Sequence, residues 1–514
     1  MAKIAYHRPK RGDYILDAID KMMKGGDSFV YEDALFQRAQ NQRQKLSRNG
    51  FELDLACLFQ AGKLYCVGRR IYHQRTLNYE QATATKLAEL LLENDLPSPP
   101  LPDPLTVRGI TLDDSQRRAV SMALSHRLSI ILGGAGSGKT TLLRAIAERC
   151  TGGGSMVLCA PTGKAACNLT ERTAIQARTV HSALSKAPDE DFLKPVDWSS
   201  VRLVLVDEAS MMTLELLTGI LHVVKKECRV VLVGDPNQLL SVGAGNVLPD
   251  LLQLGVPRTI LEGCHRQDDG AVALKSNVVD FKNCAMIEDL KQDDSFQFIP
   301  LFSEAEIQKF VTQEGAKRYL NGENFQVLSP RNFGHPLSVE KLNLVLRKLV
   351  NPAKKDTLSL VCRGRRFFTG DRVMVTKNDW DRKVCNGHIG TFGVCSVDEE
   401  APVYGVATDH AVAMWEGWSG IENLTHAYAI TIHKSQGSEY DTVIIPVHKN
   451  LGKFMYRNLL YTAISRAKQK VILVGDPDAL AQALRTPTPE RKSVLVAQTN
   501  MKIYQASQAK EEIA

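Results

Sequence analysis

A glycine-rich stretch has the residue types and spacing of a phosphate-binding loop. Gly133–Thr140 fits the pattern GxxxxGK[ST], after the apolar run Ser129–Leu132 and before the helix-forming run Leu142–Glu148. In that setting backbone N–H groups surround phosphate oxygens, a lysine reaches the β and γ phosphates, and a hydroxyl completes the shell of Mg²⁺. The residues predicted to bind ATP here are Gly134, Ala135, Gly136, Ser137, Gly138, Lys139 and Thr140.

A pair of adjacent carboxylates follows another apolar run. Leu203–Val206 leads directly into Asp207 and Glu208, at the end of a strand where ligands bind in open α/β sheets. Asp207, with Thr140, is predicted to hold Mg²⁺, and Glu208 to polarise the water that attacks the γ-phosphate. The pair therefore indicates hydrolysis as well as binding.

A third strand-like run ends in polar residues. Gln238 follows Val230–Val233 and is predicted to sense the γ-phosphate. Alone, this pattern is more often a simple strand-ending turn, but together with the following Ser241–Asn246 it becomes specific. The sequence around Asp235, Leu232–Pro236, recurs as Leu473–Pro477. This partial repeat places one copy in each half of a two-part α/β region.

Length, composition and charge limit the classes of protein to which this chain can belong. The chain has 514 residues, 44% hydrophobic and 24% charged, which allows three or four domains and excludes a single small binding module. The net charge is +7, and +6 of it falls in residues 1–75, which hold fourteen Lys/Arg and eight Asp/Glu. The basic N-terminal region could contact duplex DNA or a protein partner, or could simply be a solvated face.

The cysteines and the apolar runs indicate a cytoplasmic protein. The eleven cysteines form no CxxC pair, which argues against a disulfide framework or a zinc ribbon. The apolar runs are far shorter than the ~18 residues of a membrane span. We therefore predict a cytoplasmic protein with no membrane partner.

Proline placement and strand periodicity divide the chain. Five prolines fall in Pro97–Pro104 and predict a stiff linker. Alternating apolar strands and helices follow it, and glycine-punctuated β-like runs interrupt them. The predicted domains are 1–96 (basic, small, α+β), 97–105 (linker), 106–262 (first α/β domain, with an excursion at 186–198), 263–357 with 425–485 (second α/β domain), 358–424 (β insert) and 486–514 (C-terminal tail).

The ordered motifs resemble those of the superfamily 1 DNA helicases, in the RecD-like branch that includes the phage Dda-type enzymes. The resemblance runs from about residue 111 to 480. It rests on Leu112–Gln116, Gly133–Thr141, Ala160–Ala166, Thr179–His181, Val206–Ser210, Gly234–Gln238, His265–Gln267, Leu328–Arg331, Thr431–Gly437 and Tyr461–Ala467.

The resemblance implies a fold and further site residues. It implies an α/β fold with two tandem RecA-like parallel-sheet motor domains, an SH3-like β insert in the second, and ATP between the two. Gln116 would read adenine, Thr141 would join the nucleotide site, and Arg266 and Arg466 would stabilise charge on the transferring phosphoryl group. The residues that would face single-stranded DNA are Pro161, Thr162, Thr179, His181, Arg331, Thr431 and His433.

Several of these residues have structural alternatives. Thr179 and Thr431 are also what helix caps require. His181, His433 and the arginines could be ordinary surface or core residues, and the aromatic residues of the insert are more typical of a core. The excursion at 186–198 lies where the family carries a strand-separating pin, but here it is short and acidic.

The implied activity is an ATP- and Mg²⁺-dependent helicase that moves 5′ to 3′ on single-stranded DNA and unwinds duplex at single-strand/duplex junctions, in replication, recombination or repair. Two alternatives stay open at this point. An RNA helicase would use similar phosphate contacts, and an ATP-gated nucleic-acid-binding scaffold would bind without processive unwinding.

Overall fold

The computed structural model describes residues 12–98, 100–134, 136–150, 155–185, 195–262, 292–354, 357–379, 381–398, 401–409 and 411–511. Arg266 and Ala135, and residues 186–194 of the predicted excursion, lie outside these ranges. Across the described ranges, no helix is both long and apolar enough to cross a membrane.

The N-terminal region is a small α+β unit. Its helices pack around a buried apolar core that includes Ile15, Leu35 and Phe51, beside an antiparallel sheet in the order β1-β3-β2. Its elements are α1 (Asp13–Met23), β1 (Val30–Tyr31), α2 (Glu32–Gln42), α3 (Arg48–Gln60), β2 (Leu64–Val67), β3 (Arg70–His73) and α4 (Gln74–Leu91).

A parallel sheet forms the first α/β domain, in the order β11-β6-β10-β9-β7-β8. Strand β6 is buried along its whole length, as a parallel strand covered by helices on both faces must be. A short ladder, β4 (Thr106–Val107) and β5 (Ile110–Thr111), precedes it. The elements that follow are α5 (Asp114–Ser125), β6 (Leu128–Leu132), α6 (Lys139–Cys150), β7 (Ser155–Ala160), α7 (Gly163–Thr173), β8 (Ala177–Thr179), α8 (Val180–Leu184), β9 (Val201–Val206), α9 (Leu214–Val223), β10 (Arg229–Gly234), α10 (Val247–Gln253) and β11 (Arg258–Ile260).

The second half of the chain carries another parallel sheet, interrupted by antiparallel strands. Its elements run β12 (Phe296–Pro300), α11 (Glu304–Leu320), β13 (Phe325–Ser329), α12 (Val339–Val350), β14 (Ser359–Cys362), β15 (Arg365–Phe368), β16 (Arg372–Val375), β17 (Ile389–Ser396), β18 (Val403–Thr408), β19 (Val412–Glu416), β20 (Leu424–His426), β21 (Ala429–Thr431), β22 (Tyr440–Val447), α13 (Arg457–Ile464), β23 (Ala467–Gly475), α14 (Pro477–Arg485) and α15 (Leu495–Glu511). The parallel strands are ordered β12-β23-β22-β13-β21. The chain thus has the two α/β sheets that the sequence predicted.

The insert is an antiparallel sheet in the order β19-β18-β17-β16-β20, flanked by the hairpin β14-β15. Phe367 and Trp415 are 1% and 5% exposed and pack in its core with Phe392 and Tyr404. These two aromatic rings are therefore core residues, whereas Trp418 is 42% exposed. A closed SH3-like barrel stays a prediction.

The C-terminal segment differs from the predicted tail, because residues 495–511 form the helix α15, which packs along α4. Just before it, Arg491 Nη1 donates to Ser241 Oγ (3.0 Å) and to the Gly245 carbonyl (2.8 Å) of the first α/β domain. Helix α4 in turn shares its buried leucines with the core of that domain. The predicted boundaries at 96 and 486 therefore cut through continuous packing.

A buried carboxylate lies where these segments meet. Glu80 on α4 is fully buried, and its Oε1 accepts from the Val494 N–H (3.2 Å) and the Ser493 hydroxyl (3.3 Å). The same hydroxyl lies 2.7 Å from Asp250 Oδ2. Burial raises the pKa of Glu80, and the nearby charge of Asp250 adds to the rise. The ionised form of Glu80 therefore destabilises the folded protein relative to the protonated form.

This predicts the pH dependence of a Glu80→Gln variant. A raised carboxyl pKa stabilises the fold at low pH, and that contribution is lost as the pH rises through the shifted value. The glutamine keeps an acceptor oxygen but carries no charge. We expect its free energy of unfolding in urea to exceed that of the wild type by roughly 1 kcal/mol at pH 8, and by less at pH 5. Glu89→Gln, an exposed position on the same helix, is the control, and a loss of stability at pH 8 would contradict the prediction.

Candidate functional site

The loop between β6 and α6 is shaped to surround an anion. Gly136 and Gly138 have φ of 80° and 78°, a left-handed conformation that glycine adopts at little cost. A Cβ at Gly133 would lie 2.4 Å from Ser137 Oγ, so any larger residue there would displace the Ser137 side chain. Lys139 begins α6, and its Nζ donates to the Gly133 and Gly134 carbonyls at 2.8 and 2.7 Å. The lysine and the helix N-terminus therefore converge on the loop, with Thr140 and Thr141 in the first helical turn.

The carboxylate pair stands beside this loop. Asp207 follows β9, its N–H donates to the Cys159 carbonyl (3.0 Å), and its Oδ1 accepts from the Glu208 N–H (2.9 Å). Burial raises the pKa of Asp207, and the charge of Lys139 opposes that rise. Burial also raises the pKa of Glu208, and the Asp207 charge raises it further. A carboxylate with a raised pKa can accept a proton from a bound water molecule.

Polar contacts join the two α/β domains next to this pair. Tyr461 on α13 donates to Asp235 Oδ2 at 2.7 Å, and both side chains are buried. The Leu239 N–H donates to Thr462 Oγ1 at 2.9 Å, and Gln436 Nε2 donates to the Leu239 carbonyl at 3.2 Å. The sequence assigned no role to Tyr461 or Thr462, although both lie within a quoted motif. Two signals marked Asp235, the LVGDP repeat and the quoted motif Gly234–Gln238, but neither gave it a role.

The two predicted glutamines lie in different surroundings. Gln238 is 3% exposed, and its Oε1 has no hydrogen-bond partner among the described residues. Gln116 belongs to a capping box on α5, because its Oε1 accepts from the Asp113 N–H (3.1 Å) and its own N–H donates to Asp113 Oδ1 (2.8 Å). Recognition of adenine by Gln116 stays a prediction. Because the side-chain oxygen takes part in the capping box, the amide NH₂ group is the part of the side chain that the box does not use.

Arg466 reaches the cleft from the second domain. It is 4% exposed, and its guanidinium donates to the Thr462 carbonyl (3.2 Å), the Ser438 carbonyl (3.4 Å) and Ser465 Oγ (3.1 Å). Its charge lowers the pKa of Glu208 against the larger effect of burial. The structure thus brings Arg466 close to the acidic pair.

In the first domain, the residues predicted to contact DNA share one sheet edge. Pro161 and Thr162 follow β7, while Thr179 ends the adjacent β8, paired with Ala160, and His181 follows it. Thr162 Oγ1 accepts from the Ala165 N–H (3.3 Å) and Thr179 Oγ1 from the Ser182 N–H (3.0 Å). Both threonines are therefore helix caps, which is the structural alternative given above for Thr179. His181 is exposed.

The corresponding residues of the second domain also share an edge. Register pairs Ser329 with Thr431, so Arg331 and His433 follow neighbouring strands. Thr431 Oγ1 accepts from the Lys434 N–H (3.2 Å), and Arg331 Nε donates to the Phe333 carbonyl (3.0 Å). Thr431 lines a groove of about 730 Å³. The groove is also lined by basic residues to which the sequence gave no role, namely Lys341, Arg347, Arg365, Arg366 and Lys434.

Comparison with known proteins agrees with this layout. Residues 111–299 match the AAA domain family, and residues 426–474 match the UvrD-like helicase C-terminal domain. The ATP-dependent RecD2 DNA helicase of Deinococcus radiodurans is 32% identical over 394 residues, which cover 75% of this chain and 52% of that protein. The RecBCD enzyme subunit RecD of Mycobacterium tuberculosis is 29% identical over 426 residues, 72% of this chain and 70% of that one.

The matched region thus spans about half the length of the Deinococcus relative. Among solved structures, a Pif1 helicase on forked duplex DNA aligns at 21% identity with a TM-score of 0.46, covering 78% of this chain and 98% of that one. The two domain matches follow the order of the two parallel sheets, and together with the RecD and RecD2 similarities they place this chain in the RecD-like branch of the superfamily 1 helicases.

Proposed function

We propose that this protein is an ATP- and Mg²⁺-dependent DNA helicase that moves 5′ to 3′ on single-stranded DNA and unwinds duplex at junctions, in replication, recombination or repair. The observation that carries the proposal is a cleft with complementary charge. Lys139 and the Asp207–Glu208 pair come from the first domain, and Arg466 from the second lies close enough to lower the pKa of Glu208. Because ATP hydrolysis would need residues from both domains, hydrolysis can be coupled to motion of one domain relative to the other.

Each residue of the cleft has a chemical role in this proposal. Lys139 binds the β and γ phosphates, while Thr140 and Asp207 hold Mg²⁺, which neutralises phosphate charge. Glu208 takes a proton from the attacking water, and Arg466 stabilises charge on the phosphoryl group. Gln238 senses the γ-phosphate with its buried amide. Arg266 keeps the same proposed role as a second arginine.

The proposed DNA path connects the two sheet edges. Pro161, Thr162, Thr179 and His181 would contact the strand on one side, and Arg331, Thr431 and His433 on the other. Backbone contacts of this kind hold any sequence, and the cations of the neighbouring groove would add a salt-dependent grip on phosphates. The relative from Deinococcus is named a DNA helicase, which favours DNA over RNA. A protein partner for the basic N-terminal domain stays a prediction.

Substitution of Arg466 tests the cleft. Arginine donors supplied across a domain boundary are worth about 10³-fold or more in turnover, so Arg466→Ala should lower kcat for ATP by about that factor, with saturating single-stranded DNA present. Affinity for a fluorescent ATP analogue should change little, because Lys139 and the loop are intact. Arg457→Ala, on the helix that ends just before Arg466, is the control, since Arg457 donates to the Leu484 carbonyl. Wild-type turnover in Arg466→Ala would exclude the role.

Strand displacement tests the function as a whole. We expect the wild type with ATP and Mg²⁺ to unwind a duplex carrying a 5′ single-stranded tail and to leave the 3′-tailed duplex intact. Lys139→Ala should unwind neither substrate. Unwinding of only the 3′-tailed duplex would reverse the polarity. ATPase stimulation by RNA and not by matched DNA would indicate an RNA helicase, and DNA-stimulated hydrolysis without strand displacement would indicate a scaffold.

A further inference from the structure

Away from the ATP cleft, the first domain docks against a turn of the β insert. The turn is Cys385–His388, between β16 and β17, and the His388 N–H donates to the Cys385 carbonyl at 2.9 Å. Lys164 on α7 donates to the Gly387 carbonyl at 3.0 Å. A Cβ at Gly163 would lie 3.4 Å from Cys385 Cβ. The N-terminal end of α7 and this turn therefore meet at close range.

Three metal-ligating side chains converge at this junction. Cys167 comes from α7, and Cys385 and His388 come from the turn. The two sulfur atoms are 3.3 Å apart, and one potential ligand atom from each of the three residues lies within 4.8 Å of the others. Cys385 and His388 are 1% and 4% exposed. The Cys385 N–H donates to His388 Nδ1 at 3.2 Å, which holds the imidazole ring against the cysteine side of the turn.

We propose that Cys167, Cys385 and His388 bind a soft divalent metal ion of the zinc class. Thiolate and imidazole donors favour Zn²⁺ over Mg²⁺ or Ca²⁺. With bonds of about 2.3 Å to sulfur and 2.0 Å to nitrogen, tetrahedral ligands lie roughly 3.5–3.8 Å apart. The donors reach that spacing by moving at most about 1 Å. The fourth position would be taken by water, as in zinc sites with three protein ligands.

The geometry favours a metal over a simple disulfide. A disulfide needs only the two cysteines, with sulfur atoms about 2.05 Å apart, whereas a metal ion would also use the imidazole of His388. Two residues separate Cys385 from His388, a short spacing common to metal-binding turns. Because α7 and the turn belong to different parts of the fold, the ion would tie the β insert to the first domain. It would stabilise that contact by the free energy of binding.

Cobalt titration of the full-length protein, purified under reducing conditions and stripped with a chelator, tests the site directly. We expect about one Co²⁺ per chain, with visible d–d bands of tetrahedral cobalt and a near-ultraviolet thiolate-to-cobalt band, all displaced by Zn²⁺. No variant is needed for this result. Absence of the thiolate band in folded protein would overturn the proposal, as would a Cys167–Cys385 disulfide that survives purification under reducing conditions and is detected by peptide mapping.

Substitutions assign the ligands. Cys385→Ser and His388→Gln should each weaken Zn²⁺ binding by more than about 100-fold, with circular dichroism confirming the fold. Cys395→Ser, an exposed cysteine in the same insert, should bind as the wild type does. Glu304, His335 and His448 form another cluster of possible ligands among the described residues. If Cys385→Ser still binds Zn²⁺ with the affinity of the wild type, the ion is held by that second cluster or by another site, and the assignment is overturned.

Discussion

The structure depends on a buried polar contact between two sheets that present their carboxyl ends to one cleft. Tyr461 donates to Asp235 at 2.7 Å, and the two side chains are 2% and 1% exposed. Burial raises the pKa of Tyr461, and the Asp235 charge raises it further, so the phenol stays a neutral donor. A hydrogen bond buried away from water is strong, and removing one partner costs free energy because the other polar group is left buried and unpaired. The contact holds α13, which ends just before Arg466, against the edge of the first sheet from which the loop of Lys139 also starts.

Most of the proposed cleft could be predicted from sequence because its signals are local. A phosphate loop must lie between a strand and a helix, so residues near Lys139 reveal both elements at once. Asp207 could be predicted because a buried parallel strand delivers its next residue to the sheet edge. The threonines show the limit of such signals. Thr179 does cap a helix, and a cap that also faces a nucleic acid has the same local sequence as one that does not.

Contacts between distant segments could not be predicted. Arg491 and Ser241 are 250 residues apart, and Cys167 and Cys385 are 218 apart. No periodicity or spacing links such pairs, since they meet only after both domains have formed. The same reason explains why residues 486–514 suggested a tail. The helix α15 is held by Glu80 and its neighbours on α4, from the other end of the chain.

The buried Asp235–Tyr461 contact is expected to couple the two sides of the proposed ATP cleft. A double-mutant cycle with Asp235→Asn and Tyr461→Phe, measured as kcat for DNA-stimulated ATP hydrolysis, tests this coupling. If the contact acts as one unit, each single variant loses about 10-fold and the double variant loses no more than the worse single. Independent losses that multiply to about 100-fold in the double variant would contradict the claim.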